Sequence, residues 1–162
     1  MPHTSHKNLS VKKSRNGLGI FTTARAKSGQ AVFPIHGTRK HYTTLLTKGG
    51  TFLDNCFRVS EEYYVSPEGY IGVYLNHSCE PNARVVKKGN KLFVYAISDI
   101  PSGTEVLIDY STITAGDDIW TMRCNCGNKT CRGLVKNFYK LPHTLQEKYK
   151  TLHIVPAYIT DI

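Results

Sequence analysis

Long hydrophobic runs are missing from this sequence. No stretch approaches the ~20 consecutive apolar residues of a membrane-spanning helix, although apolar residues make up 40% of the chain. The opening residues, MPHTSHKNLSVKKS, carry no apolar stretch of a secretory signal. Cysteine is sparse and odd in number, five in 162 residues. That argues against a disulfide-stapled secreted scaffold and predicts a reducing, intracellular setting with no membrane partner. Acidic residues are scarce too: 12 Asp and Glu against 21 Lys and Arg leave a net charge of +9. The basic residues are spread over 12–15, 39–40, 87–91 and 129–140 rather than gathered in one arm. They read as solvated faces that favour acidic partners without naming one. Direct nucleic-acid binding is compatible with that charge but not required by it. Internal repeats and low-complexity linkers are also lacking, and the length suits one domain with a single core.

What the chain has in quantity is short runs of Val, Ile, Tyr and Thr broken by Gly, Pro, Asn or Ser, the pattern of many short strands. ARVVKKGNKLFVYAI, residues 83–97, is two alternating runs around Gly89-Asn90, a hairpin signal. NGLGIFTTA turns at Asn16-Gly17 into a strand, and SDIPSGTEVLIDY turns at Pro101 and Gly103 into a strand over 105–110. RKHYTTLLTKGG predicts one or two helical turns stopped by Gly49-Gly50. Past the last cysteine a helix is expected over about 143–150, with Thr144 as a weak N-cap. The whole reads as one mostly-β domain with a cysteine-bearing C-terminal appendage.

Three of the five cysteines fall within RCNCGNKTCRG, residues 123–133. Cys124 and Cys126 are too close for an easy mutual disulfide. Two thiolates facing one metal tolerate that spacing, and Gly127 lets the chain fold back to bring in Cys131. A closed zinc site takes four N or S ligands. Spacing alone leaves Cys56, Cys79 and seven histidines as candidates for the fourth.

YLNHSCEPNARVV, residues 74–86, is a polar knot following Val73, Tyr74 and Leu75. A buried Asn and His need hydrogen-bond partners, which suits a turn around a ligand. Gly17-Leu18-Gly19 precedes this stretch; EVLIDY, Glu105 to Tyr110, follows it, and then comes the cysteine run. In that order and at those spacings the motifs resemble those of the SET-domain protein lysine methyltransferases. The match is to their G-x-G, N-H-S-C-x-P-N and E-L-x-x-D-Y-like motifs and to their post-SET C-x-C-x4-C, over about residues 10 to 135.

The resemblance implies a mainly β fold, the β-clip-like SET arrangement of short sheets with a pseudoknot. It would occupy residues 1–118, followed by a post-SET zinc segment at 119–136 and a C-terminal tail with a short helix at 137–162. It implies an enzyme that transfers methyl from S-adenosylmethionine to a lysine side chain of a protein partner, histone being the family's commonest substrate class. It makes Cys79 the fourth zinc ligand beside Cys124, Cys126 and Cys131, and leaves Cys56 as a buried small residue. Such a zinc is structural, because four thiolates leave no open position. Gly17, Leu18 and Gly19 are expected at the cofactor's methionine end, where a Cβ would crowd the backbone. Asn76 and His77 are expected at its adenine and ribose end, Leu134 and Val135 over the adenine, and Tyr110 at the cofactor as the catalytic tyrosine. The chain departs from the family's usual residues at Ile35, Val73 and Ser111. Ile108, two before Tyr110, lacks a hydroxyl, which points to transfer of more than one methyl. Glu61-Glu62 and Asp117-Asp118 are the acidic pairs that could hold basic flanks of a target. Two other readings remain: a SET-like module that binds peptide or cofactor without turnover, and a basic zinc-containing nucleic-acid-binding protein. The second lacks a C-x2-C pair and a basic stripe interleaved with aromatics.

Overall fold

Residues 83–96 show how alternation becomes architecture. In the computed structural model, which describes residues 6–46 and 55–162, Ala83 and Val85 on one strand and Leu92, Val94 and Ala96 on the next are almost fully buried. Their neighbours along each strand are not, as a half-buried sheet requires. Five small sheets result among the described residues. β1 (Leu9–Ser14) pairs antiparallel with β2 (Gly17–Thr22). β3 (Ala31–Ile35) begins a second sheet and β4 (Thr38–His41) a third, followed by the single-turn helix α1 (Tyr42–Leu46). β5 (Phe57–Arg58) and β6 (Tyr63–Ser66) complete the third sheet in the order β4-β6-β5. After β7 (Asn76–His77), the hairpin of β8 (Ala83–Lys88) and β9 (Lys91–Ala96) joins β3 in the order β3-β9-β8. β10 (Leu107–Ile108) lies parallel to β7, and β11 (Met122–Arg123) pairs antiparallel with β12 (Leu134–Val135). Helices α2 (His143–Thr151) and α3 (Ala157–Thr160) end the chain. The fold is mainly β, built of short sheets.

The Gly89-Asn90 loop is where the sequence placed it, between Lys88 and Lys91, with Gly89 at φ +58°. Three local expectations shift. The β1–β2 loop is Arg15-Asn16, one residue early, since Ser14 pairs with Gly17, which takes φ +103° at the strand's start. The strand expected over 105–110 shrinks to Leu107–Ile108, because the Asp109 carboxylate accepts from the Ser111 amide and caps a 3-10 turn, Tyr110–Ile113. Thr144 does not cap α2, which starts at His143 behind Pro142 with no side-chain cap. Gly49-Gly50 lie outside the described residues.

The parallel β7–β10 pair brings together segments thirty residues apart in sequence. Asn82 fastens it: its Nδ2 donates to Glu105 O at 2.8 Å while its Oδ1 accepts from Leu107 N at 2.9 Å. Beneath the sheets lies a core that includes Ile20, Phe33, Val94, Ile100, Val106 and Ile108. A second cluster joins Ala115 to Phe138, Leu141, Tyr149, Ile154, Val155 and Ile159, so the segment after the cysteines is packed against the domain.

Arg58 joins the third sheet to the chain beyond the 3-10 turn. Its side chain is 2% exposed. Nε donates to Ser60 O, and the terminal nitrogens reach Glu61 O, both Asp117 oxygens and Asp118 Oδ2. Asp118 also accepts from Tyr64 Oη and Ala115 N. The Asp117-Asp118 pair is therefore taken up within the chain rather than left for a target, whereas Glu61 and Glu62 are exposed. Arg58→Ala leaves Asp118, 11% exposed, facing an emptied site, while Asp117, 58% exposed, can turn to water. It should cost about 1–3 kcal/mol in urea unfolding, the penalty of leaving one mostly buried acceptor short of its donor.

Candidate active site

Tyr110 opens the 3-10 turn directly after Asp109, and the geometry of that turn aims its ring. The Tyr110 amide donates to His77 Nδ1 at 3.1 Å, Thr114 Oγ1 donates to Tyr110 O at 2.7 Å, and Tyr110 Oη donates to Leu75 O at 2.5 Å. The ring stands 5.3 Å from that of His77 and 6.0 Å from that of Trp120. Burial, and then the charge of Glu105, push the Tyr110 hydroxyl above its ordinary range. It is a neutral donor at any physiological pH.

Two clefts lie on either side of the Leu75–Asn76 step to which the tyrosine hydroxyl is bonded, and Tyr110 itself lines the first of them. One, of about 540 Å³, is mostly apolar and is lined by Phe57, Gly72, Val73, Leu75, Tyr110 and Trp120 among others, with Cys56 in its wall. The other, of about 460 Å³, is polar, with Ser14, Asn16, Asn76, His77, Glu105 and Asn128 in its lining. Leu75 faces the first and Asn76 the second. Consecutive residues on an extended chain point to opposite sides, so this short stretch is the partition between them.

Glu105 governs the polar side. Its carboxylate accepts from Ser14 Oγ at 2.7 and 2.8 Å and from Asn76 Nδ2 at 2.8 Å. Asn76 Nδ2 also donates to Leu18 O at 2.9 Å. The two glycines of G-x-G serve different ends. Gly17 is required by its φ of +103°, and a Cβ there would meet nothing. Gly19 leaves room for the Glu105–Asn76 contact: a Cβ would stand 2.1 Å from Glu105 Oε1 and 3.0 Å from Asn76 Nδ2, so both side-chain ends would have to move. Gly17, Leu18 and Gly19 border the polar cleft through these contacts rather than lining it. Leu134 and Val135 sit together on β12, Leu134 exposed and Val135 fully buried, outside the lining of either cleft.

The sulfurs of Cys79, Cys124, Cys126 and Cys131 all lie within 4.8 Å of one another. Tetrahedral thiolates at about 2.3 Å from a zinc ion would be about 3.8 Å apart, and Cys79 Sγ and Cys124 Sγ are separated by 3.7 Å. The donor set suits zinc. Cys56 lies elsewhere, in the apolar cleft. Burial pushes the Cys79 and Cys124 thiols up. Burial opposes ionisation of Cys126 too, but backbone donors at Cys79 and Asn128 outweigh it and hold that thiol at about 6. His77 bridges this cluster to the tyrosine. Burial lowers its pKa to about 4, so the ring is neutral. With Nδ1 accepting from the Tyr110 amide, the proton sits on Nε2, 3.4 Å from Cys79 Sγ.

Comparison with known proteins places this arrangement. The SET domain family profile matches residues 17–111, more than half of the chain. The chain is a SET-domain protein. The chain is 36% identical over 135 residues to a histone-lysine N-methyltransferase, H3 lysine-4 specific, of Cryptococcus neoformans, covering 76% of this chain and 9% of that protein. It is 30% identical over 137 residues to an H3 lysine-36 specific counterpart of Yarrowia lipolytica, covering 77% of this chain and 18% of that one. A lysine-4 specific enzyme of Saccharomyces cerevisiae is 32% identical over 94 residues, 54% of this chain and 9% of its own. The chain thus spans under a fifth of the length of these relatives. The profile covers the N-H-S-C and D-Y motifs and ends before the cysteine run.

Sequence reasoning missed four residues of this SET domain's centre. Glu105 lay within the quoted EVLIDY, and its buried-side acidity was the available signal. Asn82 closes the quoted N-H-S-C-x-P-N motif but was given no role, and Ser14 carried no signal. Trp120 was conspicuous only as the single tryptophan.

Proposed function

We propose that this SET domain is an S-adenosylmethionine-dependent protein lysine N-methyltransferase, with a histone as the first substrate to test. The observation that carries the reading is an apolar cleft lined by Tyr110 and Leu75 set against a polar cleft lined by Asn76 and His77, one residue apart, with the Tyr110 hydroxyl bonded to Leu75 O at that step. When bound, the cofactor supplies a methyl group on a sulfonium sulfur. The polar cleft suits it: Glu105 offers a negative charge to a cationic ligand, while Asn76, Ser14 and the Leu18–Gly19 backbone offer polar groups. The apolar cleft suits a lysine stem. Val73, Leu75 and Trp120 disfavour the charged ammonium and lower its pKa, so the amine can arrive neutral. Tyr110, held protonated, orients that amine and is not its base. Positioning of the two reactants then supplies much of the rate. Ile108, two residues before Tyr110, carries no hydroxyl, and on that family position rests the reading that more than one methyl is transferred; the residue itself is fully buried and lines neither cleft. The relatives are named for different lysines, so the target position is left to experiment.

Cys79, Cys124, Cys126 and Cys131 are read as the ligands of a structural zinc that ties residues 123–133 to the N-H-S-C turn. A reducing intracellular compartment, the nucleus included, suits four thiolates. The test is transfer of labelled methyl to histones and to whole lysate. Tight cofactor binding with no transfer to any protein would instead favour a binding module.

Gly19→Ala separates the glycines' roles. The new Cβ pushes the flexible end of Glu105 away from Asn76 and Ser14, at the cost of those hydrogen bonds, about 1 kcal/mol each. Calorimetry should show cofactor affinity at least tenfold weaker by the loss of about 1.4 kcal/mol. Gly17→Ala should cost stability through its backbone strain alone and leave affinity near that of the parent chain.

A further inference from the structure

The C-terminal helix reaches the reacting tyrosine through a single buried carboxylate. Asp109 is 0% exposed. Its Oδ1 accepts from the Ser111 amide at 3.0 Å and from the Arg132 guanidinium at 2.7 Å. Its Oδ2 accepts from Tyr149 Oη at 2.8 Å, the one donor that oxygen has among the described residues. Tyr149 is the buried residue of α2 and belongs to the second hydrophobic cluster. Arg132 follows the last clustered cysteine, and its amide donates to Cys79 Sγ at 3.4 Å. The residue between the two Asp109-governed positions, 109 and 111, is Tyr110.

We propose that Tyr149 is a positioning residue for methyl transfer: its hydroxyl holds Asp109, and Asp109 holds the turn that aims Tyr110. The proposal rests on the methyltransferase reading for its kinetic consequence and on geometry alone for its structural one. Three groups from three parts of the chain converge on Asp109: the Ser111 amide within the turn, Arg132 beside the cysteine cluster and Tyr149 on the helix. A buried carboxylate oxygen stripped of its donor is costly to leave unsatisfied, and Asp109 has no route to water. It must rotate to find another donor. That rotation weakens its bond to the Ser111 amide, which caps the 3-10 turn. Tyr110 Oη then loses its register against Leu75 O. Burial, followed by the charge of Asp109, also keeps the Tyr149 hydroxyl protonated, so it remains a donor throughout the working pH range. Residues 137–162 thereby become part of the active centre although they line neither cleft.

Tyr149→Phe removes the hydroxyl and keeps the ring in its cluster. In the full metal-loaded chain, kcat per cofactor-binding molecule should fall about tenfold or more, since misplacement by an ångström costs of order 10²-fold. Cofactor affinity and binding stoichiometry should stay within about twofold. Combined with Asp109→Asn, the two losses should not multiply, because both act through one carboxylate. Independently of turnover, hydrogen exchange of the amides at 110–113 should quicken about tenfold while that of the β8–β9 hairpin is unchanged. Unchanged exchange at 110–113 would overturn the proposal, as would a kcat within twofold of the parent or losses that multiply in full. If the parent chain methylates nothing, the methyltransferase reading fails and the exchange measurement still decides the positioning claim.

Discussion

Cys79→Ser is expected to abolish stoichiometric zinc binding, whereas Cys56→Ser keeps one zinc per chain. Cys79 Sγ sits 3.7 Å from Cys124 Sγ within the four-sulfur cluster, and Cys56 lies in the wall of the apolar cleft. Three remaining thiolates still bind zinc, but weakly and with an open position, so affinity should fall by at least about 10³-fold. Cys79 is also the only one of the four outside residues 124–131, so its loss unfastens that segment from the N-H-S-C turn. A loss of about 4 kcal/mol would lower the melting midpoint by roughly 10 °C for a chain of this size. Chelation of the parent protein should reproduce the same shift, and chelation of the serine variant should produce none. Equal zinc content in both variants would remove Cys79 from the ligand set. Metal content by elemental analysis and melting curves with and without chelator are the measurements.

The same cluster shows what could and could not be read from residue order. Cys124, Cys126 and Cys131 announce a metal by proximity, because a C-x-C pair with a nearby third cysteine has little else to do. The fourth sulfur lies forty-five residues earlier, and spacing offered Cys56 on equal terms. Only the whole order of motifs singled out Cys79. Likewise, the alternation in residues 83–96 fixes which side chains are buried but not that β9 runs between β8 and β3. Periodicity reports a face, never a partner. The long-range polar contacts are therefore the invisible part: Arg58 with Asp117 across 59 residues, and Tyr149 with Asp109 across 40. Each joins a residue with no local signature to another that looks like an ordinary surface charge. The shortened strand at β10 has the same origin, since Asp109 reads as one more strand residue until its cap on Ser111 is seen.

These contacts also give the centre its order of dependence. The cysteine cluster holds Arg132, Arg132 and Tyr149 hold Asp109, and Asp109 with His77 holds the backbone on either side of Tyr110. His77 adds a second route from the cluster, through Nε2 toward Cys79 and Nδ1 toward the Tyr110 amide. Disturbance of the metal should therefore reach catalysis as well as stability.

Tyr110→Phe is expected to lower kcat by roughly 10²–10³-fold, the cost of removing one preorganised donor from a reacting centre. The ring lines the apolar cleft, and the hydroxyl donates to Leu75 O at 2.5 Å, one residue from Asn76 in the polar cleft. Phenylalanine fills the same volume, so the loss to folding is confined to one hydrogen bond, about 1 kcal/mol. Cofactor affinity should change by only a few-fold, because the polar cleft is walled mainly by Ser14, Asn76, His77 and Glu105. The pH profile supplies the sharper test. Burial and Glu105 push the Tyr110 hydroxyl upward, so it stays protonated through the assay range and cannot produce a rising limb. Any rise in kcat/KM with pH then comes from the target lysine losing its proton. The limb should persist, at the same midpoint, in the residual activity of the phenylalanine variant. A limb that vanishes with the hydroxyl would make Tyr110 the ionising base, and an unchanged kcat would remove it from the reaction altogether.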